Sequence, residues 1–166
     1  NLSIVPLKPV INIYGTKNLS FNYKFSNNPY INILTRTSNR PNYFSENRYT
    51  VLMQTYKNIR HIVSVDNEYS FNYVCANSVK REDIIKVGIT KRLSRNHMPY
   101  NLYCNSLMDV VKEGWVMFLD DDDILYDEDC IKSIVPLLNS NNNLIIWRCL
   151  RGNKIYPNNS FGKSPK

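Results

Sequence analysis

No apolar run in this 166-residue chain reaches the length of a membrane span, and no secretory leader opens it. The expectation is a cytoplasmic protein without a transmembrane segment, or one of the host cytoplasm if the AT-rich style of composition is viral. The first residue is Asn rather than Met, so an N-terminally trimmed chain is expected. Cysteine is sparse. Cys75, Cys104, Cys130 and Cys149 form no C-x-x-C pair and fit no zinc spacing, so they read as small hydrophobes of a reducing compartment. There is no internal repeat and no low-complexity linker. The length therefore suits one α/β domain with a real core. A nucleic-acid recognition motif is also missing. The net charge of +7 favours an anionic partner, but its basic residues are scattered rather than gathered. We expect no nucleic-acid partner.

What the chain does have is Gly114-Trp115-Val116-Met117-Phe118-Leu119 running straight into Asp120, Asp121, Asp122 and Asp123. The apolar part reads as a buried strand. The acids then fall at its C-terminal end, where open α/β sheets place their ligands. Adjacent carboxylates repel one another unless something positive sits among them. Aspartate oxygens are hard ligands that suit Mg²⁺ or Mn²⁺, and such a cation can bridge to a diphosphate. The alternative is a solvated loop or helix start, where negative charge is also favourable, and Asp127-Glu128-Asp129 fits that description.

Periodicity and breakers divide the rest. Residues 1–29 lack a clear period and read as a leader with short strands; residues 30–150 read as the domain, and 151–166 as a tail or the start of an acceptor-binding half. Strands are expected at 30–35, 59–65, 83–87, 116–119 and 144–147. Helices are expected at 42–56, with Tyr43, Phe44, Val51, Leu52 and Tyr56 toward the core, at 99–112, and at 127–139, where Pro136 should kink or shorten the helix. Alternating strands and helices imply a largely parallel, doubly wound sheet. Its strand ends bring together Thr35, Arg36, Thr37, Asn39 and Arg40, then Asp66 and Asn67, then the acid run. Singly, each is as ordinary as any surface charge or cap. Their order and spacing carry the information.

In that order the chain resembles the family 2 glycosyltransferases, with their GT-A nucleotide-sugar fold. The residues carrying the resemblance are Thr37-Ser38-Asn39-Arg40-Pro41, Gln54-Thr55-Tyr56, Val65-Asp66-Asn67, Asn105, Gly114 and Phe118-Leu119-Asp120-Asp121-Asp122-Asp123, spread over residues 30–147. The resemblance implies a GT-A-like, Rossmann-like mostly parallel sheet. It also implies transfer of a sugar from a nucleotide sugar, a UDP-sugar, with inversion, to a glycan, protein or lipid hydroxyl. Thr35, Thr37 and Arg40 would lie near the base or phosphates, and Asp66 would accept a hydrogen bond from uracil. Asn101 and Asn105 would line or brace the nucleotide pocket. Asp120 or Asp121 would face the ribose or support the metal, and Asp122, with Asp120, would hold Mn²⁺ or Mg²⁺.

Such a cation would stabilise the diphosphate leaving group, and an inverting enzyme also needs a carboxylate base. In the resembling family that base lies well beyond the acid motif. Here no acid follows Asp129, so the base is unassigned, and an isolated chain is expected to bind nucleotide but to transfer little sugar. A non-catalytic or truncated nucleotide-sugar-binding domain is the competing reading. A sugar nucleotidyltransferase ranks lower, because residues 35–41 contain no glycine for a phosphate loop.

Overall fold

A computed structural model describes residues 28–77, 84–86, 99–138, 145, 149–151 and 154–156. Strand β1 (Ile31–Thr37) is buried along nearly its whole length, as its apolar and threonine-rich sequence requires of a strand covered on both faces. It lies at the centre of a four-stranded parallel sheet with β2 (Ile59–Val65), β3 (Ile84–Lys86) and β4 (Trp115–Phe118), in the order β3-β2-β1-β4. Thr37 pairs with Val65 and Leu34 with Phe118, so the C-terminal ends of the strands share one edge.

The period-two alternation of β2 sorts the core into two layers. Val63 and Val65 pack with Phe44 and Val74, from α1 (Pro41–Leu52) and α2 (Glu68–Asn77). Ile62 packs with Leu34 and Leu107, the last from α3 (Pro99–Met108). Helices thus cover both faces, which is the doubly wound arrangement. Helix α4 (Cys130–Ile134) is short and passes into a 3₁₀ turn, Val135–Leu137, that contains Pro136.

The sheet and its helices, Ser26–Leu138, form one compact unit. Strands β5 (Cys149–Arg151) and β6 (Lys154–Tyr156) form an antiparallel pair that belongs to a second unit. No helix among the described residues is long and apolar enough to cross a membrane.

Several expectations need adjusting. Helix α1 ends at Leu52 rather than at 56, because Gln54 turns away and spends its amide on other backbone groups. Its buried stripe is Phe44, Asn47, Arg48 and Val51, which leaves Tyr43 and Leu52 exposed. Tyr43 instead lies under the Arg40 guanidinium, 5.8 Å from its ring centroid. Helix α2 is not legible in the hydrophobic pattern, since it buries only Ser70 and Val74. It is started by Asn67, whose Oδ1 accepts from the Ser70 N–H at 2.8 Å. Helix α3 stops at Met108, four residues short of the expected end. The expected strand at 144–147 lies outside the described residues apart from Ile145, which is in no regular element, and most of the 1–29 leader lies outside them too.

Gly114 is required by the backbone. Its φ is +88°, and a Cβ there would overlap the Tyr30 carbonyl oxygen and stand 2.8 Å from Tyr30 Cβ. The turn is held on both sides of it, with Asn32 Nδ2 donating to Glu113 O at 2.8 Å and to Trp115 O at 3.1 Å. Gly114→Ala should therefore destabilise the protein by about 1–3 kcal/mol or more, read as a lower urea midpoint at unchanged slope.

Candidate functional site

The three polar strand ends do meet. The β1–α1 loop turns through Asn39, whose φ of 56° is one that asparagine tolerates. The Asn39 N–H donates to Ser70 Oγ at 2.9 Å, and Asn39 Oδ1 accepts from Asn67 Nδ2 at 3.3 Å, which pins the end of β1 to the end of β2. Tyr73 of α2 adds a further tie. Its hydroxyl accepts from the Arg40 N–H at 3.4 Å and shares a 2.6 Å hydrogen bond with Thr37 Oγ1. Pro41 then starts α1, where its missing N–H costs nothing and its fixed φ suits the helix.

From this loop two guanidinium groups reach across to the acid run. Arg36 Nε lies 3.1 Å from Asp120 Oδ1. Arg40 forks onto Asp121 through Nε, at 3.1 Å, and through Nη2, and it places Nη1 3.0 Å from Asp122 Oδ2. Asp121 has no exposed side chain, whereas those of Asp120 and Asp122 are about half exposed, at 51% and 48%. Burial raises the Asp121 pKa above its ordinary value, opposed by the Thr37 hydroxyl and the Arg40 charge. The Arg40 pKa is raised as well; burial pulls it down, but the paired carboxylates outweigh that. Something positive does sit among the acids, and it comes from this chain.

The acids themselves form a tight turn, closed by Asp123 N–H to Asp120 O at 3.0 Å. Helix α1 holds this turn from beneath. Asn47 Nδ2 donates to Asp120 O at 3.0 Å and to Asp123 O at 2.8 Å. Arg48 acts through a relay. Its Nη1 donates to His61 Nδ1 at 2.9 Å, so the neutral ring carries its proton on Nε2 and donates to Thr35 Oγ1 at 2.9 Å. Thr35 in turn donates to Leu119 O at 2.7 Å, one residue before Asp120. Burial, aided by the Arg48 charge, lowers the His61 pKa from 6.5 to about 3, so the ring is neutral near neutral pH.

Of the residues expected at the site, Thr37, Arg40, Asp120, Asp121 and Asp122 come together at the strand edge. Asp66 lies at the end of β2, where its carboxylate accepts from Asn67 Nδ2 at 2.8 Å and from Tyr103 Oη at 3.2 Å. Asn105 is exposed on α3, and Asn101 lies in the same helix with its side chain outside the described residues. Thr35 is fully buried, and its hydroxyl holds Leu119 rather than facing the edge. Asn47, Arg48, His61, Tyr73 and Tyr103 were not singled out from the sequence. The available signal was the spacing of Asn47 and Arg48 on the stripe that also carries Phe44 and Val51.

Gln54 and Thr55 have a structural use. Gln54 Nε2 donates to Asp127 O at 2.6 Å, its Oε1 accepts from Ile131 N–H at 2.9 Å, and the Thr55 N–H donates to Glu128 O at 2.8 Å. They hold the segment that follows the acid turn. Asp129 is tied to Thr55 Oγ1 and Lys132, and the Thr55 bond lowers its pKa.

No three His, Cys, Asp or Glu side chains among the described residues gather so that they could hold a metal ion by themselves. That is compatible with Mg²⁺ or Mn²⁺, which bind through one or two carboxylates plus substrate phosphates and keep several waters. Asp120 and Asp122 carry hard oxygen donors at the strand edge and are about half exposed, and each is ion-paired, Asp120 with Arg36 and Asp122 with Arg40.

No family model matches the chain, and no curated protein matches it in sequence. In shape it is similar to the mannosyltransferase PcManGT from Pyrobaculum calidifontis, solved in complex with GDP-Man and Mn²⁺. The TM-score is 0.53 and the identity 16%, over 68% of this chain and 33% of that one. TarS 1–349 of S. aureus gives a TM-score of 0.49 at 13% identity, over 64% of this chain and 31% of that one. The chain thus spans about a third of either protein. The likeness to the mannosyltransferase shows the fold, which is GT-A-like and Rossmann-type.

The neutral buried imidazole has a measurable consequence. As pH falls from 6.5 toward about 3, the unfolded chain takes up a proton at residue 61 that the folded chain refuses. The contribution of His61 to stability is therefore intact above that window and lost through it, at about 1.4 kcal/mol per pH unit. His61→Gln, whose amide can still accept from Arg48 and donate to Thr35, should flatten this slope in urea unfolding measured across the window.

Proposed function

We propose that this chain binds a nucleotide sugar at the C-terminal edge of its sheet, as the donor-binding part of a metal-assisted glycosyltransferase of the family 2 type. The observation that carries the reading is the meeting of Arg40 with Asp121 and Asp122 at the C-terminal edge of the sheet, where doubly wound sheets bind ligands and where β2 also ends at Asp66. The mannosyltransferase of similar shape holds GDP-Man and Mn²⁺, which supports a donor of the nucleotide-sugar class and a divalent cation.

In this reading Asp122, with Asp120, holds Mn²⁺ or Mg²⁺. The cation would supply Lewis-acid stabilisation to the diphosphate leaving group. Arg40 and Thr37 are assigned to the phosphate side; the Arg40 fork is engaged by Asp121 and Asp122, so a phosphate would take the place of Asp122 on Nη1 while Asp121 keeps its hold. Asp121 stays buried and orients Arg40. Asp66 takes the uracil N–H of a UDP-sugar, with Tyr103 and Asn67 holding its carboxylate in place. Asn101 and Asn105, both on α3, would line or brace the nucleotide pocket. The general base is not assigned to a residue described here. Asp127 and Asp129 are engaged with local backbone and with Thr55, so they brace the approach to α4.

Calorimetry of UDP with and without Mn²⁺ tests the metal assignment. Asp122→Asn should remove most of the gain in affinity that Mn²⁺ confers and leave the fold intact. Equal UDP affinity in the two conditions for the unaltered protein would sink it.

The base assignment is tested separately. Asp66→Ala should weaken UDP and UDP-sugars by similar factors, corresponding to about 1.5–3 kcal/mol for a hydrogen bond to a charged group. Undiminished UDP binding, or tighter binding of GDP than of UDP by the unaltered protein, would assign the pocket to another base.

A further inference from the structure

A helix that packs on a sheet normally buries an apolar stripe. Helix α1 instead buries Asn47, with no exposed surface, between Phe44 and Val51. Both amide hydrogens of Asn47 are spent on carbonyls at the two ends of the acid turn, Asp120 O and Asp123 O. The opposite amide orientation would set Oδ1 against those two carbonyl oxygens, so the partners decide which atom is the donor. As placed, Oδ1 is buried without a hydrogen-bond partner. A buried acceptor left unpaired is costly, and an apolar side chain of similar size would avoid the cost. What the asparagine provides in return is the pair of N–H donors on the turn.

These donors grip the backbone and leave the carboxylates alone. Asn47 therefore neutralises no charge; it fixes the shape of a turn whose acids repel one another. The turn is also tied before its start by Thr35 to Leu119 O and beyond its end by the Leu125 N–H to Thr50 Oγ1 at 3.2 Å. Asn47 is the tie that spans it.

We propose that Asn47 is a positioning residue that sets the spacing of the Asp120 and Asp122 carboxylates for a divalent cation bridged to a nucleoside diphosphate. The inference rests on the reading of Asp122 as a cation ligand. Groups that orient metal ligands from behind typically change metal affinity by about 10–100-fold when lost.

The test is calorimetry of UDP, with and without Mn²⁺, on the unaltered chain and on Asn47→Leu, with far-UV circular dichroism and a thermal melt as checks of folding. The gain in UDP affinity that Mn²⁺ confers should fall by about 10–100-fold, while affinity for UDP without metal holds. If Asn47→Leu does not fold, Asn47→Ser, which removes the same donors without adding apolar volume, carries the same expectation. A folded variant that keeps the full Mn²⁺ gain overturns the proposal. So does one that loses metal-free and metal-dependent affinity in equal proportion, because that is the mark of a merely structural residue. Absence of any Mn²⁺ gain in the unaltered chain would instead bring down the reading of Asp122, and the role of Asn47 with it.

Discussion

A carboxylate with no exposed surface must either take up a proton or face a cation. Asp121 faces the fork of Arg40, and much of the strand edge depends on that pairing. It ties the β1–α1 loop to the turn after β4 and brings Asp122 to the same guanidinium. Breaking one half of such a pair costs far more than the pair contributes, since it strands the other charge in the interior. Arg36 repeats the link on the exposed side, through Asp120. With two positive groups set among the acids, a run that would otherwise splay apart becomes an ordered turn.

That turn is supported by an unusual use of helix α1. Two of the residues on its buried stripe are polar, and both work toward the strand edge: Asn47 directly, and Arg48 through His61 and Thr35 to Leu119. Each member of the relay is hydrogen-bonded to the next, and Arg48 Nε also reaches Asn77 O, which is what allows an arginine and a histidine to be buried together. The arrangement makes the position of the acid turn a property of the core. A loop resting on solvent-exposed contacts alone would be held less firmly.

The fold by itself carries no function, because sheets of this kind serve many chemistries. The shape shared with a mannosyltransferase covers 33% of that protein at 16% identity, and it establishes the architecture. The proposed donor binding is supported by the site, where aspartate oxygens meet the Arg40 guanidinium on the sheet edge that also carries Asp66 at the end of β2. Pairing of exposed and buried acids in one turn gives the carboxylates different tasks. Asp121 is buried against Arg40, and Asp120 and Asp122 are about half exposed, each on an arginine.

Much of this was legible in the chain itself. The apolar runs of β1, β2 and β4 mark strands wherever they occur. Pro41 and Gly114 punctuate the chain through φ constraints that act locally. The acid run after an apolar strand falls at the C-terminal edge of the sheet by topology alone, although that strand, β4, is the half-buried edge strand with Phe118 exposed and not the buried one its apolar sequence predicts. Asn47, Arg48 and His61 could not be identified in the same way, because a polar residue on a helix or strand looks solvent-facing until its partners are known. Those partners lie far away in sequence, with Asn47 reaching 73 and 76 positions to its carbonyls. Helix α2 escaped for a related reason, since its stability comes from an asparagine cap and from aromatic packing against α1, with little apolar period of its own. Local chemistry determined where the elements and the candidate acids lie. Only tertiary packing decided which acid is buried, which arginine neutralises it, and which core residues hold the turn, because each of those depends on distances between segments that the chain brings together only by folding.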